Sequence, residues 1–94
     1  MSFKTGKLTT GKILKAFRNR FGLTQKEVAS AVGVSISNLS ALENDKRNIG
    51  AELAGRFYVI YGVRVERLLF PNCLKDLKGY KKLEKLKSKL QDAA

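Results

Sequence analysis

The side chains with which this chain could do chemistry are mainly cations. Its 94 residues include 19 Lys and Arg against 8 Asp and Glu, with one Cys and no His. Histidine is the commonest general base and the commonest metal ligand in proteins, so catalysis and metal binding are poorly served by this set. The single cysteine, Cys73, excludes an internal disulfide, and the glycines are scattered rather than gathered in a phosphate-binding loop. We therefore expect no enzyme, no cofactor, no metal site and no small-molecule ligand.

The formal net charge of +11 favours a polyanionic partner, although a basic surface that only confers solubility would give the same total. Within this basic chain, residues 35–42 read SISNLSAL and carry no charge. Their hydroxyl and amide groups can still exchange hydrogen bonds with a partner. The charge and the residues suited to such contacts therefore do not coincide in this chain, and the pattern beneath the charge has to explain why.

Apolar residues recur at helical spacing along the chain, and no alternating strand pattern is present. The pattern predicts an all-α fold, a compact bundle of five short helices with short connections. A first helix begins at Thr9 or Thr10 and ends at Gly22, and a short fifth helix is closed by Pro71. A fourth helix, at about 50–61, is expected to bury one apolar face: Ala51, Ala54, Phe57, Tyr58 and Tyr61.

The second helix, at about 24–32, has the clearest start signal. Thr24 and Glu27 have the spacing of a capping box, in which each side chain accepts a hydrogen bond from the other residue's backbone N–H. Leu23 and Val28 flank this box at the positions of a hydrophobic staple. We therefore expect the helix to begin at this point in the chain.

The third helix, at about 35–44, follows the second after a very short link, which predicts a sharp helix–turn–helix. Such a turn needs a residue with positive φ, and Gly33 supplies it without strain. The crossing of the two helices needs a small residue, which is Ala29. Leu39 and Leu42 are then expected to face inward, so that the rest of the third helix faces out.

The chain divides by composition into a basic N-terminal arm (1–8), a helical domain (9–71) and a basic amphipathic C-terminal helix or tail (72–94). In the last segment a leucine stripe opposes a lysine face. We expect a short helix that docks on the domain or on a second subunit, with a frayed basic tail as the alternative. The N-terminus lacks the apolar stretch of a signal peptide, and no run is long enough to span a membrane, so a cytoplasmic protein is expected.

Two stretches together carry a family resemblance. LTQKEVASAVGVSISNLSALEN (23–44) has the order leucine, small hydroxyl, glutamine, acidic residue and alanine, followed by GVS and a terminal EN. YGVRVERLLFP (61–71) matches the closing motif LGVSLDELL. From Leu8 to Phe70 the sequence resembles the helix-turn-helix family of lambda repressor and Cro.

That resemblance implies a sequence-specific double-stranded DNA-binding protein that binds as a homodimer and acts as a transcriptional regulator, a repressor in type. The third helix would be the recognition helix, and the C-terminal helix or helix five the dimer surface. The implied base-reading residues are Gln25, Ser35, Ile36, Ser37, Asn38 and Ala41. The implied phosphate contacts are Lys26, Ser40, Asn44, Lys46 and Arg47. Arg18 and Glu43 match a pair that joins helix one to helix three.

The sequence departs from the family at several positions. Ile36 and Ala41 stand where Arg, Gln or Lys is frequent, which predicts a site rich in A·T pairs, because apolar groups suit the thymine methyl. Asn38 would read adenine, and Ile36 could instead pack inward. Asp45 replaces a usual glycine, and Ile49 a usual proline, so the loop at 44–50 is expected to follow another path.

A different class of function stays open beside DNA binding. The neutral third helix and the basic C-terminal helix could form an interaction module for a protein or a membrane surface. A gel shift with bulk DNA, run beside liposome binding, separates the two classes.

Overall fold

The computed structural model describes residues 8–72, 74 and 77–93 of the chain. Most of the predicted basic arm, at 1–7, and Cys73 lie outside these residues. The described residues form an all-α fold without strands, which confirms the predicted class. The helices are α1 (Thr10–Arg20), α2 (Gln25–Val32), α3 (Ile36–Glu43), α4 (Ala51–Tyr61), α5 (Val65–Leu69) and α6 (Tyr80–Ala93).

The helix ends follow the local signals read from the sequence. Thr9 caps α1, its hydroxyl oxygen accepting a hydrogen bond from the Lys12 backbone N–H at 3.2 Å. Both halves of the capping box are present at α2: Thr24 Oγ1 accepts from the Glu27 N–H at 3.1 Å, and Glu27 Oε1 accepts from the Thr24 N–H at 2.9 Å. These bonds to Thr24 hold the pKa of the Glu27 carboxyl below its usual value. Gly33 ends α2 with a φ of 78°, as the short link requires.

The core lies between α1, α2, α3, α4 and α5, and its largest fully buried side chains are Phe57, Leu14, Leu39, Leu68, Val28 and Val32. The prediction for α4 was wrong at two positions. Ala51 is exposed, and Tyr58 is 50% exposed. The helix is apolar on more than one face, since Val59 beside them is also exposed, and periodicity alone cannot choose the buried face.

The hydroxyl of Tyr61 is a weak point of this core. The residue is 6% exposed, and the hydroxyl has no hydrogen-bond partner among the described residues. Burial, together with the nearby Glu43 carboxylate, raises the pKa of Tyr61 to about 12. The ring stacks on Phe17 and Phe57, with centroids 5.5 and 5.6 Å away. The ring therefore contributes packing, while the hydroxyl is desolvated without compensation.

We predict that Tyr61→Phe keeps or raises stability, by up to about 1 kcal/mol in urea unfolding at pH 7. A phenol pKa that is higher in the folded state stabilises the fold below pH 10, and this contribution is lost as the pH rises toward 12. The wild type should therefore lose stability over that interval more steeply than the variant. Thermal unfolding of both proteins at pH 9 and 11 checks this, and equal losses would contradict it.

Helix α6 does not dock its leucine stripe on the domain. Leu83, Leu86 and Leu90 are 54%, 55% and 64% exposed, so the predicted helix is present and that part of the docking prediction was wrong. The other cover that the sequence predicts for these leucines is a second subunit. No helix in the described part of the chain is both long and apolar enough to cross a membrane.

Candidate nucleic-acid interface

The helix–turn–helix presents one face of α3 to solvent. Leu39 and Leu42, at 0% and 3% exposure, turn the inner face of α3 into the core. Ser35 caps the helix, its Oγ accepting from the Asn38 backbone N–H at 3.0 Å. Ile36 is 47% exposed, so it does not pack inward against α2 as the alternative required. The outward surface contains the predicted contact residues: Ser35, Ile36, Ser37 and Asn44 are exposed, and Asn38, Ser40 and Ala41 are half-buried.

Glu43 attaches the last turn of α3 to α1 and α2. Its carboxylate accepts from Arg18 Nε at 2.7 Å and from Arg18 Nη2 at 3.1 Å, and its side chain is fully buried. Arg18 Nη1 also donates to the Leu23 carbonyl oxygen at 3.0 Å. The hydrogen bond to Glu43 raises the pKa of Arg18, so its charge is retained at any ordinary pH. This ion pair positions α3 rather than contacting a partner.

Gln25 belongs to the same cluster. Its Nε2 donates to Glu43 Oε1 at 3.1 Å, and the residue is half-buried at the start of α2. The family resemblance assigns the Gln25 side chain to DNA contact, and in this structure that side chain is held beside the Arg18–Glu43 ion pair. The two residues are separated by 18 positions, and no local pattern in the sequence indicates their contact.

Asp45 explains how the chain departs from the family at the end of α3. It has a φ of 58°, a left-handed conformation that Asp and Asn tolerate better than most residues. The following Lys46 N–H donates back to the Ala41 carbonyl at 2.8 Å, so the helix ends in a Schellman motif. The Asp45 carboxylate accepts from Thr9 Oγ1 at 2.6 Å and from the Gly11 N–H at 2.8 Å. Asp45 therefore attaches the start of α1 to the end of α3, a contact that sequence reasoning missed.

Gly11 lies on α1 where it packs directly against the backbone of α3. A Cβ at this position would lie 2.5 Å from the Glu43 carbonyl oxygen and 2.7 Å from that of Leu42. Both atoms are backbone, so neither can move without displacing α3. The absence of a side chain at Gly11 therefore sets the spacing of the two helices.

We predict that Gly11→Ala lowers the free energy of unfolding by about 2–3 kcal/mol, because the added methyl forces α1 and α3 apart. Gly55→Ala is the matched control, since nothing lies within 4 Å of a Cβ there. It lies inside α4, where alanine is favoured by about 1 kcal/mol over glycine, so it should be neutral or stabilising. Urea unfolding of the two variants measures both effects, and an equal response would contradict the close approach.

The cations around α3 differ in how they are held. Lys26, Lys46 and Arg47 are exposed, and they flank the outward face of α3 from α2 and from the loop after α3. Arg47 Nη1 donates to Asn38 Oδ1 at 2.6 Å, which joins a predicted phosphate contact to a predicted base contact.

The described residues bring no three Cys, Asp or Glu side chains together as a metal ion would require.

Ser40 and Asn44 are joined by hydrogen bonds on the outward face of α3. Asn44 Nδ2 donates to the Ser40 carbonyl at 2.8 Å and to Ser40 Oγ at 3.3 Å. They lie within reach of one another because they are four positions apart on a helix. The amide of Asn44 is thereby oriented along α3.

Known proteins resemble this chain over the region that forms the site. A family model described as helix-turn-helix matches residues 14–68. A protein of Archaeoglobus fulgidus, described as an uncharacterized HTH-type transcriptional regulator, is 34% identical over 55 residues, which are 58% of this chain and 79% of that protein.

Two solved structures share the fold. A hypothetical protein from E. coli has a TM-score of 0.60 at 26% identity, over 68% of this chain and 66% of that one. A structure of the SinR protein/SinI protein complex has a TM-score of 0.61 at 24% identity, over 82% of this chain and 76% of that one. The second likeness concerns the fold alone.

Proposed function

This chain belongs to the helix-turn-helix family whose model matches residues 14–68, and on that premise we propose that it binds double-stranded DNA sequence-specifically as a transcriptional regulator. The observation that carries the proposal is the exposed face of α3, held rigidly by the buried Glu43 cluster and flanked by cations. The major groove is about 12 Å wide and admits a helix presented in this way. The similarity to an HTH-type transcriptional regulator supports the same function.

Base reading is assigned to the leading end of α3. Ile36 and Ser37 are exposed there, and Ala41 lies farther along the same outward surface. The apolar groups of Ile36 and Ala41 suit thymine methyls, and the Ser37 hydroxyl can donate to or accept from any base. These residues favour A·T pairs opposite the start of the helix.

Affinity is assigned mainly to phosphate contacts outside the neutral stretch. Lys26 at the start of α2 and Lys46 after α3 supply charge, while Ser40 and Asn44 offer hydrogen-bonding groups. Phosphate contacts position a protein on DNA and carry no sequence information directly. This division of labour accounts for a recognition segment without charge in a chain with a net charge of +11.

Repression by occupying an operator is the finer assignment, and it rests on the resemblance to lambda repressor and Cro. Such proteins bind as dimers on half-sites about one helical turn apart. Exposed apolar residues offer a homodimer surface at two places: Val59 and Ile60 on α4, and the leucine stripe of α6. A cytoplasmic location belongs to the same proposal.

The dimer surface can be identified by the solution mass of variants, with and without DNA. Val59→Lys and Leu86→Lys place a like charge at the centre of each apolar patch. The variant that converts a dimer to a monomer marks the interface, and a wild type that is monomeric on its DNA site contradicts the homodimer.

The decisive test of DNA binding is selection of bound duplexes from a random library, followed by gel shifts with the selected site and with bulk DNA. The proposal expects a defined consensus and tighter binding to it than to bulk DNA. Equal affinity for both would overturn sequence-specific binding.

A second candidate function has one observation in its favour, the exposed leucine stripe of α6 beside a lysine-rich face. A helix of this kind can lie on an anionic membrane surface. Binding to vesicles that contain anionic lipid, without binding to any duplex, would favour an interaction module over a DNA-binding protein.

A further inference from the structure

The neutral recognition helix has a guanidinium group placed against it from outside. Arg47 follows α3, and the Schellman motif at its end turns the chain back toward the helix. The side chain then runs along α3, so that Nη1 lies 2.6 Å from Asn38 Oδ1 in the first turn.

The chemistry of this contact determines how the Asn38 amide is oriented toward Arg47. A guanidinium can only donate, so it is the amide oxygen of Asn38 that faces Arg47, and the Nδ2 group points away. The backbone of Asn38 is itself held by the Ser35 cap at 3.0 Å. Arg47 is therefore held by a half-buried residue of the helix, although it belongs to the loop.

The anchored geometry leaves a pairing edge unused. With one Nη1 hydrogen directed at Asn38, the Nε and Nη2 hydrogens of Arg47 make no hydrogen bond within the described residues. Two parallel N–H donors are what guanine O6 and N7 accept in the major groove. A phosphate also accepts such a two-donor fork, so guanine reading is distinguished by a preference at one base pair, which a phosphate contact does not produce.

We propose that Arg47 reads a guanine at one fixed position of each half-site and that Asn38 is its positioning residue rather than an adenine reader. The inference rests on the proposed DNA binding and changes its predicted specificity. The A·T preference applies opposite Ile36, while one G·C pair is required opposite Arg47. The neutral helix thus gains guanine recognition that its own residues lack.

The test measures the affinity of the full chain for its selected duplex and for duplexes in which each base pair is replaced in turn, at one fixed salt concentration. Wild type should prefer G·C at one position by about 5- to 150-fold, the range of a good bidentate contact. Arg47→Lys keeps the charge but loses the planar fork, so this preference should weaken while affinity for the substituted duplex changes little.

Two substitutions at Asn38 separate positioning from reading. Asn38→Ala removes the oxygen and should weaken the preference at the Arg47 position. Asn38→Asp keeps an acceptor for Arg47 and removes the amide donor, so it should preserve that preference even if overall affinity falls. In the Arg47→Lys/Asn38→Ala double variant the losses should not add, because both act on one contact.

Lys46→Gln is the matched control, since it removes a neighbouring loop cation that has no such anchor. It should weaken all duplexes alike. The inference is overturned if Arg47→Lys also weakens binding to all duplexes alike. It is overturned as well if the Asn38 variants change the base preference at an A·T pair instead of at the G·C pair. DNA binding itself would stand in both cases. If wild type does not distinguish its best site from bulk DNA, the proposed function and this inference fail together.

Discussion

Glu43→Ala is expected to lower the free energy of unfolding by about 3–5 kcal/mol. The substitution leaves the Arg18 guanidinium, only 15% exposed, without its carboxylate and removes the acceptor of the Gln25 amide. Small domains are stable by only about 5–15 kcal/mol in total, so this variant should be partly unfolded at ordinary temperature. Urea unfolding followed by circular dichroism measures the change.

Glu52→Ala is the matched control for burial. Glu52 pairs with Arg56 at 2.9 Å, close to the Arg18–Glu43 distance, but its side chain is 82% exposed. Water and salt screen such a pair, so its loss should cost no more than about 0.5 kcal/mol. Similar losses in the two variants would contradict the structural role assigned to the buried carboxylate.

Replacing both members of the buried pair makes a further distinction. Arg18→Met with Glu43→Leu removes the charges together, and such exchanges are often neutral or stabilising. If the double variant regains stability but loses DNA affinity, the pair serves to orient α3 rather than to stabilise the fold. Loss of stability equal to that of Glu43→Ala would instead assign the cost to the hydrogen bond that Arg18 donates to the Leu23 carbonyl and to the one that Glu43 accepts from Gln25.

Local signals predicted most of the helix ends because the groups that form them are close in sequence. Thr24 and Glu27 are three positions apart, so their capping box can be predicted from the sequence before the fold is known. The positive φ of Gly33 follows equally from a link too short for any other path. The inward leucines of α3 were predictable for the same reason, since one helix turn brings them together.

The contacts that position the outward face of α3 were not predictable in this way. Asp45 reaches Thr9 and Gly11 across 36 and 34 positions, and its presence in place of a glycine predicts another path for the loop but not these partners. Asn38 was interpreted as an adenine reader because it lies at the right place on the helix. Only the fold reveals that its oxygen is engaged by a cation from beyond the helix end.

The affinity for DNA is expected to fall by about 500- to 20,000-fold between 50 and 200 mM salt. The bound protein is expected to contact ~5–8 phosphates, and each contact contributes about −0.9 to the slope of log affinity against log salt. Gel shifts or anisotropy at four or more salt concentrations give the slope directly. A binding constant that is unchanged over this range would contradict an interface dominated by phosphates.

Charge-removing variants show which cations produce that slope. Lys26→Gln and Lys46→Gln should each reduce its magnitude by about 0.9, because each removes one phosphate contact. Lys85→Gln makes the same change on α6, away from the helix–turn–helix, and should leave the slope unaltered. A reduced slope for Lys85→Gln would mean that the lysine face of α6 also lies along the DNA. The leucine stripe, on the opposite face, would then point away from the phosphates and could be covered only by a partner on that side. The salt dependence therefore measures the electrostatic attachment separately from base reading, which Arg47→Lys alters without changing the charge.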